Sequence, residues 1–502
     1  MEIITSVLVC IAILLMKTLW RMKKSKKTHL PGPPTLEAFK SLLNTSSTTG
    51  LHVAVTDWAK EYGDILALKL PGQAIVFLND ADVVKEVFSS EVNKKVTNDR
   101  QGTFATKFVF DNGSLGFLQA GQEHSRLRRL FHASLHLFGE GVEAYETHAG
   151  DEMNHVVNEI GQQTQVDLEK VLSTSLMNCL HILLIGRRAE GEAPSLSAML
   201  DFNNAMNKLL RYELDATLTM FPFLRLIPGY YKGICDDVHE SKTRLLHHFF
   251  EQTKNEFNAE LGQGFIYNVL TEQARGEGSK KAGITDSQIK CFILDFLNAG
   301  YVTTRGALLG TMLCLINHQD VQQNMYKELR TQIGSREVTL EDRPKLPYLE
   351  AVILEALRYT SHTPFSIPHL SRGDIETRGY TIPKGTLLVA NLWNIHHDYR
   401  VHEDPWVFRP ERFLDTAGQL LPKDHPLRRK SIPFGIGKRR CPGESFAKSR
   451  LFMYVATLVQ NFQFQPLEGV RGASADPRTW RPGVILHLPE IVCKVVKRNN
   501  VN

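Results

Sequence analysis

The sequence predicts a mainly α-helical protein with small β-sheets, preceded by a single N-terminal transmembrane helix. Three observations carry this. Apolar residues recur at three- and four-residue intervals through 166–185, 197–217, 236–257, 286–316 and 319–333, the period of an amphipathic helix. The runs Ile65-Leu66-Ala67-Leu68-Lys69-Leu70 and Gln73-Ala74-Ile75-Val76-Phe77-Leu78, around Pro71-Gly72, read as a strand pair. The chain opens on a stretch, Ile3 to Trp20, that is apolar except for Thr5, Ser6, Lys17 and Thr18.

That opening stretch is closed by Arg21, Lys23, Lys24, Lys26 and Lys27, a stop-transfer pattern. A helix of about 18 residues covers roughly 27 Å, close to the hydrocarbon thickness of the endoplasmic reticulum, and Lys17 can snorkel to the headgroups. A cleaved signal peptide carries its charges before the apolar run, and here only Glu2 follows Met1. The expectation is an uncleaved single-pass anchor in the endoplasmic reticulum membrane, with the body facing the cytosol by the positive-inside rule. The division expected is 1–28 for anchor and basic segment, 29–50 for a Pro-rich linker opening on Leu30-Pro31-Gly32-Pro33-Pro34, and 51–502 for one catalytic domain.

Within 502 residues, 42% hydrophobic and 23% charged residues describe a globular body with ample core. The net charge of +5 is mild, and its excess is clustered in a few places without long basic blocks, which does not suggest a nucleic-acid partner. Seven cysteines, Cys10, Cys179, Cys235, Cys291, Cys314, Cys441 and Cys493, lack CxxC spacing, so neither a disulfide framework nor a zinc site is indicated. Most read as small buried apolar residues.

Along the chain, 52–63 reads as a short helix, and the region from about 120 to 365 is mostly helical. The stretch Leu218 to Lys232, LTMFPFLRLIPGYYK, interrupts it with Pro222, Pro228 and Gly229. Two readings stand: a buried interhelical loop, or a surface that dips into a bilayer interface. Beyond 365, Tyr380-Thr381-Ile382 and Leu387-Leu388-Val389-Ala390 read as strands, and a long helix returns at 444–461 after Pro442-Gly443.

That last helix is opened by Phe434-Gly435-Ile436-Gly437-Lys438-Arg439-Arg440-Cys441-Pro442-Gly443. A cysteine just before a helix N-terminus feels the positive end of the macrodipole, and the three preceding cations add to it; both favour thiolate. On the residues alone, a nucleophilic or redox cysteine, a metal thiolate and a structural cysteine beside a basic patch all remain open.

The pattern Phe-x-x-Gly-x-Arg-x-Cys-x-Gly resembles the haem-binding loop of the cytochrome P450 superfamily, matched at every specified position in 434–443. The likeness continues at Glu355-Ala356-Leu357-Arg358 and at Phe408-Arg409-Pro410-Glu411-Arg412-Phe413, where Glu355, Arg358 and Arg412 match the family's structural ionic triad. The anchor, the Pro-rich spacer and Ser366-Ile367-Pro368-His369 are similar to the microsomal branch with its drug-metabolising and steroid-hydroxylating members. The resemblance implies haem b, with Cys441 as axial ligand, Phe434 and Gly435 in the cofactor loop, and Arg439, His369, Arg128 and His124 toward the haem carboxylates. His124 departs from the usual tryptophan, but imidazole can also donate a hydrogen bond; the bland alternative is a solvent-exposed histidine.

The resemblance also implies a central-helix motif Ala/Gly-Gly-x-Asp/Glu-Thr that supplies protons. Here it reads Ala299-Gly300-Tyr301-Val302-Thr303-Thr304, with the threonine present and the acid absent. Thr303 and Thr304 are the catalytic candidates, because a hydroxyl both donates and accepts. The favoured reading is mono-oxygenation of a hydrophobic substrate with O2, using NADPH electrons through a cytochrome P450 reductase, with cytochrome b5 as an additional partner. A cationic face of Arg126, Arg129, Lys438, Arg440 and Lys448 would suit an acidic donor. The alternatives are an O2-independent isomerase or dehydratase of lipid peroxides and a non-catalytic haem lipid carrier. Pocket candidates by position are Phe104, Phe108, Phe110, Asn298, Ala299, the stretch Thr363 to Ile367 with Phe365, and Val484. Such a lining implies a steroid, fatty acid or xenobiotic.

Overall fold

A computed structural model describes residues 30–35, 37, 50–70, 73–111, 113–134, 142–189, 193–258, 263–276, 283–469 and 472–498. The expected transmembrane helix, the Pro71-Gly72 turn and most of the 29–50 linker lie outside the described residues. In chain order the elements are α1 (Leu51–Tyr62), β1 (Ile65–Leu70), β2 (Gln73–Leu78), α2 (Ala81–Ser89), α3 (Phe104–Phe110), α4 (Gln122–Ser134), α5 (Val142–Gly161), β3 (Gln165–Asp167), α6 (Leu168–Ile185), α7 (Pro194–Leu209), α8 (Tyr212–Met220), α9 (Tyr230–Leu246) and α10 (Phe265–Gly276). They continue through α11 (Asp286–Asp295), α12 (Tyr301–Asn317), α13 (Gln319–Gln332), α14 (Pro347–Thr360), β4 (His369–Leu370), β5 (Ile375–Thr377), β6 (Tyr380–Ile382), β7 (Leu387–Ala390), α15 (Glu444–Asn461), β8 (Phe462–Gln465) and β9 (Val492–Lys497).

The chain forms two compact units that interleave in sequence. The first takes the described part of Met1–Gln101 together with Pro364–Ile395 and Gly435–Arg440. Its sheet runs β1-β2-β7-β4, with β1 and β2 antiparallel, β2 and β7 parallel, and β4 antiparallel to β7, pairing His369 with Leu388. Val55 and Trp58 of α1 cover one face of this sheet and share a core with Leu66, Leu68, Phe77, Phe365 and Val389. Sequestering these side chains from water is the main force holding the sheet to the helix.

The second unit takes Gly102–Thr363, His396–Phe434 and Cys441–Asn502. Its centre is α12, which packs against α6, α14 and α15 and is buried over most of its length. Two helical stretches, Leu168–Ile185 and Asp286–Asn317, are long and apolar enough to span a membrane, yet 72% of each apolar window is buried inside the protein, which makes them core helices. A small antiparallel sheet, β3-β9-β8, closes this unit.

Local chemistry explains most boundaries. Gly63, at φ 91, ends α1 one residue earlier than the periodicity implied. A reciprocal capping box between Thr285 and Gln288 starts α11. The expected helix over 197–217 is two helices with a break at Leu210 and Arg211, and those over 236–257 and 286–316 each contain a π turn, at His247–Glu251 and Phe296–Gly300. Apolar spacing averages over such a single widened turn and does not register it.

The stretch 218–232 is a surface. After α8 it makes a 3₁₀ turn at Pro222–Leu226 and enters α9 at Tyr230. Met220, Phe223, Leu226, Ile227 and Tyr230 are between 52% and 70% exposed, which overturns the buried-loop reading.

Candidate functional site

Six cysteines are described and no disulfide joins them; five are buried and Cys441 alone is half-buried. Burial pushes the Cys291 and Cys493 thiols up to about 12 and that of Cys179 up to about 11, so these remain protonated at neutral pH. Cys441 stands just before Gly443, the N-cap of α15, and its backbone N–H donates to the Phe434 carbonyl at 2.9 Å. A loop closed in this way holds the sulfur near the helix N-terminus and its positive partial charge.

In the other unit, the same loop is shaped by two left-handed glycines, Gly435 at φ 72 and Gly437 at φ 81. A Cβ on Gly437 would lie 2.7 Å from the Phe88 carbonyl oxygen, so conformation and contact both require glycine.

Beside that turn lies a cationic cluster, buried at Arg100 and half-buried at Arg439. Arg439 donates from Nε to the Asn98 carbonyl at 2.8 Å, and Arg100 donates to the carbonyls of Ile367 and Pro368 at 2.8 and 2.9 Å. Burial, reinforced by the neighbouring charge of Arg439, pushes the Arg100 guanidinium down to about 9. His369 stacks on Phe88 with centroids 3.9 Å apart and donates Nδ1–H to the Thr97 carbonyl at 2.7 Å. Burial first, and then Arg100, hold its imidazole well below its ordinary value. The buried Arg100 guanidinium and His369 imidazole, beside the half-buried Arg439, form a cradle that an anion would stabilise, and haem carboxylates have the chemistry to fit it. Sequence reasoning named His369 and Arg439 as candidates and did not name Arg100, because nothing local marks that arginine as a neighbour of residue 439.

In the second unit, α4 carries His124 and Arg128 one turn apart; His124 is 6% exposed, so the solvent-exposed alternative fails, and Arg128 is half-buried. Arg126 turns outward onto Glu123 at 2.8 Å.

The central helix opens a face precisely where the widened turn meets α12. Ala299 is exposed and Asn298, Gly300, Val302 and Thr303 are half-buried, although α12 beyond them is buried. Thr303 donates its hydroxyl to the Ala299 carbonyl at 2.6 Å, so its lone pairs remain to accept; Thr304 is buried. One turn on, Gly306 packs against the ring of His362. Just before the π turn, the Asp295 carboxylate accepts from Ser114 Oγ at 2.5 Å and Leu115 N at 2.7 Å, while burial pushes it up to about 7.

The other pocket candidates divide. Phe104 stacks on Phe108 at 5.3 Å, and α3 is tied to α8 where Phe104 N–H donates to Thr219 and Ala105 N–H to Asp215. Phe110 is buried against Phe117, Thr363 is half-buried, and Val484 and Ile367 are exposed. Phe365 lies in the sheet core, its ring 5.4 Å from Phe77, because the β1-β2-β7 face takes it up.

Glu355, Arg358 and Arg412 meet in full burial. Glu355 accepts from Arg358 Nε at 2.7 Å, Arg358 Nη2 at 2.8 Å, Arg412 Nε at 3.0 Å and the Arg409 N–H at 2.9 Å. Arg358 spends its remaining donors on the carbonyls of His396 and Pro405. Nothing in this cluster is open to a substrate.

Residues 30–495 match the family model described as Cytochrome P450. The chain belongs to the cytochrome P450 family. Among its relatives, steroid 17-alpha-hydroxylase/17,20 lyase from Ictalurus punctatus is 29% identical over 88% of this chain and 87% of its own length. Cytochrome P450 2U1 from Bos taurus is 29% identical over 84% and 77%, and cytochrome P450 1A1 from Sparus aurata 27% over 88% and 86%. As a P450 the chain is a haem-thiolate mono-oxygenase that uses haem b and takes electrons from NADPH through a reductase.

Proposed function

We propose that Cys441 is the axial thiolate and that this P450 inserts one oxygen atom from O2 into a steroid, fatty acid or xenobiotic at the open face Asn298–Thr303. The observation that carries the ligand assignment is that Cys441 alone among the described cysteines keeps an accessible residue, held at a helix N-terminus. The printed activity of the Ictalurus relative supports a steroid-like substrate.

Haem, once bound, supplies the redox chemistry for O2. The chain supplies the rest. Cys441 would supply the sulfur ligand; in the first unit Arg100, Arg439 and His369 would be partners for haem carboxylates, and in the second His124 and Arg128 are candidates for the same role. Thr303, anchored on Ala299, offers lone pairs to a proton donor. Half-buried Phe108, stacked on the buried Phe104, would offer apolar surface to a hydrophobic guest.

The reductase, and cytochrome b5 with it, would meet exposed cations. Arg126 and Lys448 each pair with a glutamate on their own helix, Glu123 and Glu444, and Arg129, Lys438 and Arg440 are exposed. The apolar surface Met220–Tyr230 supports a body resting on the membrane that the N-terminal segment would enter. We place that membrane as the endoplasmic reticulum, with the catalytic body on its cytosolic side.

The test is a reduced, CO-bound absorption spectrum of the wild type and of Cys441→Ser, followed by turnover with NADPH, reductase and isotopically labelled O2. A thiolate-type spectrum lost in the variant, and one labelled oxygen in the product, are expected. Turnover of a fatty-acid hydroperoxide without NADPH, and no label in product, would refute the mono-oxygenase assignment.

A further inference from the structure

Val302 leaves the central helix without an acid where protons are needed, and a titratable side chain stands one turn away. His362, just beyond α14, is 7% exposed and its ring lies against α12: a Cβ on Gly306 would sit 2.9 Å from its Cδ2 and 3.6 Å from its Nε2. Against that burial, the Thr303 backbone is the one group that acts to raise the basicity of the ring. Among the described residues its Nδ1 is buried without a partner, and a neutral imidazole with its hydrogen on Nε2 presents a lone pair there. The backbone of His362 is fixed as well, its carbonyl accepting from Leu486 N–H at 2.8 Å.

A buried acceptor left unmet costs about 1–3 kcal/mol, and ordered water is the usual remedy. Among the described residues a second buried polar atom without a partner, the Asn298 amide nitrogen, is an unmet donor in the π turn that precedes Thr303. We propose that His362 is a positioning residue that anchors on Nδ1 the water through which protons reach Thr303, replacing the acid that Val302 lacks.

The neighbouring charges do not compete for this role. On α12, Tyr301 and Arg305 face α6, with Arg305 bonded to Ser173 at 2.8 Å and paired with Glu169. In the turn beyond, Arg481 and His487 pair through their backbones, and neither acts on the His362 ring. Burial pushes His362 down to about 4, so it is neutral at working pH and serves as acceptor throughout. The proton balance is that of the known reaction. O2, two electrons from NADPH and two protons give one oxygen in product and one in water; the protons come from solvent, and His362 gains none.

The proposal rests on the mono-oxygenase reading, so wild-type product from NADPH and O2 is measured first; its absence would sink that reading, and this proposal with it. With turnover in hand, His362→Phe is expected to lower product formed per NADPH consumed by about 10- to 100-fold. Its CO spectrum and the substrate affinity read from the haem band should stay at wild-type values. His362→Asn, whose Oδ1 takes the place of Nδ1, should retain most coupling, and Val302→Glu added to His362→Phe should recover it. A high-resolution wild-type structure should show water within hydrogen-bond distance of Nδ1. Wild-type coupling in His362→Phe, equal loss in the Asn variant with no recovery by Val302→Glu, or no water on Nδ1 would each overturn the proposal. The last holds even if the Phe variant does not fold.

Discussion

Replacing Glu355 by glutamine removes one negative charge from the most deeply buried ion cluster described, without changing side-chain volume. Glu355 and Arg358 are 0% exposed, and Glu355 accepts four hydrogen bonds, three from the two guanidiniums. An amide can accept at only one of its two positions, so at least one guanidinium N–H meets an amide N–H. Two cations are then buried together without their anion. Breaking a buried pair in this way costs about 3–5 kcal/mol, a large share of a stability of about 5–15 kcal/mol. With roughly 1 kcal/mol/K of unfolding entropy for a chain of this size, the melting temperature should fall by about 3–5 °C. Calorimetry on haem-loaded protein reads this directly. A companion variant replacing Glu355, Arg358 and Arg412 together by apolar residues should cost less than the sum of the single losses, because it leaves no uncompensated charge. A melting temperature of Glu355→Gln within 1 °C of wild type would refute the reasoning, since the triad would then not depend on its charge.

Gly437→Ala should reduce haem retention, because φ 81 alone costs an L-residue about 1–2 kcal/mol and the new Cβ meets the Phe88 carbonyl at 2.7 Å; the ratio of haem to protein absorbance measures it. Arg100→Leu should speed haem loss to a scavenging apoprotein by about tenfold or more, the worth of a charge-assisted hydrogen bond. Asp295 is raised by burial to about 7 in the folded protein and has an ordinary value of 3.8. The folded state therefore binds the extra proton between these values, so this residue's contribution is fully present below about pH 4 and is lost as pH rises through about 7. Melting temperatures of wild type and Asp295→Asn measured from pH 5 to 8 should show the wild type losing ground with rising pH, and parallel curves would contradict this.

Much of the architecture was legible because its signals are local. β1, β2, β6, β7 and α15 fall where alternation and periodicity put them, since burial of one face leaves its period in the sequence. The two π turns were not legible: one widened turn changes which residues share a face without changing composition. The surface nature of 218–232 was undecidable for a related reason, as an apolar segment reads the same whether covered by the protein or left outside it.

The sequence by itself determined the cysteine loop and its family, because residues 434–443 are contiguous and their spacing is their meaning. It also placed Glu355 and Arg358 one turn apart. Only the tertiary structure decided that Arg100 stands beside Arg439, that Phe365 belongs to a sheet core, and that the His362 ring meets Gly306. Each of these depends on residues tens to hundreds of positions apart, whose approach is set by packing of whole elements and leaves no period or spacing in the chain.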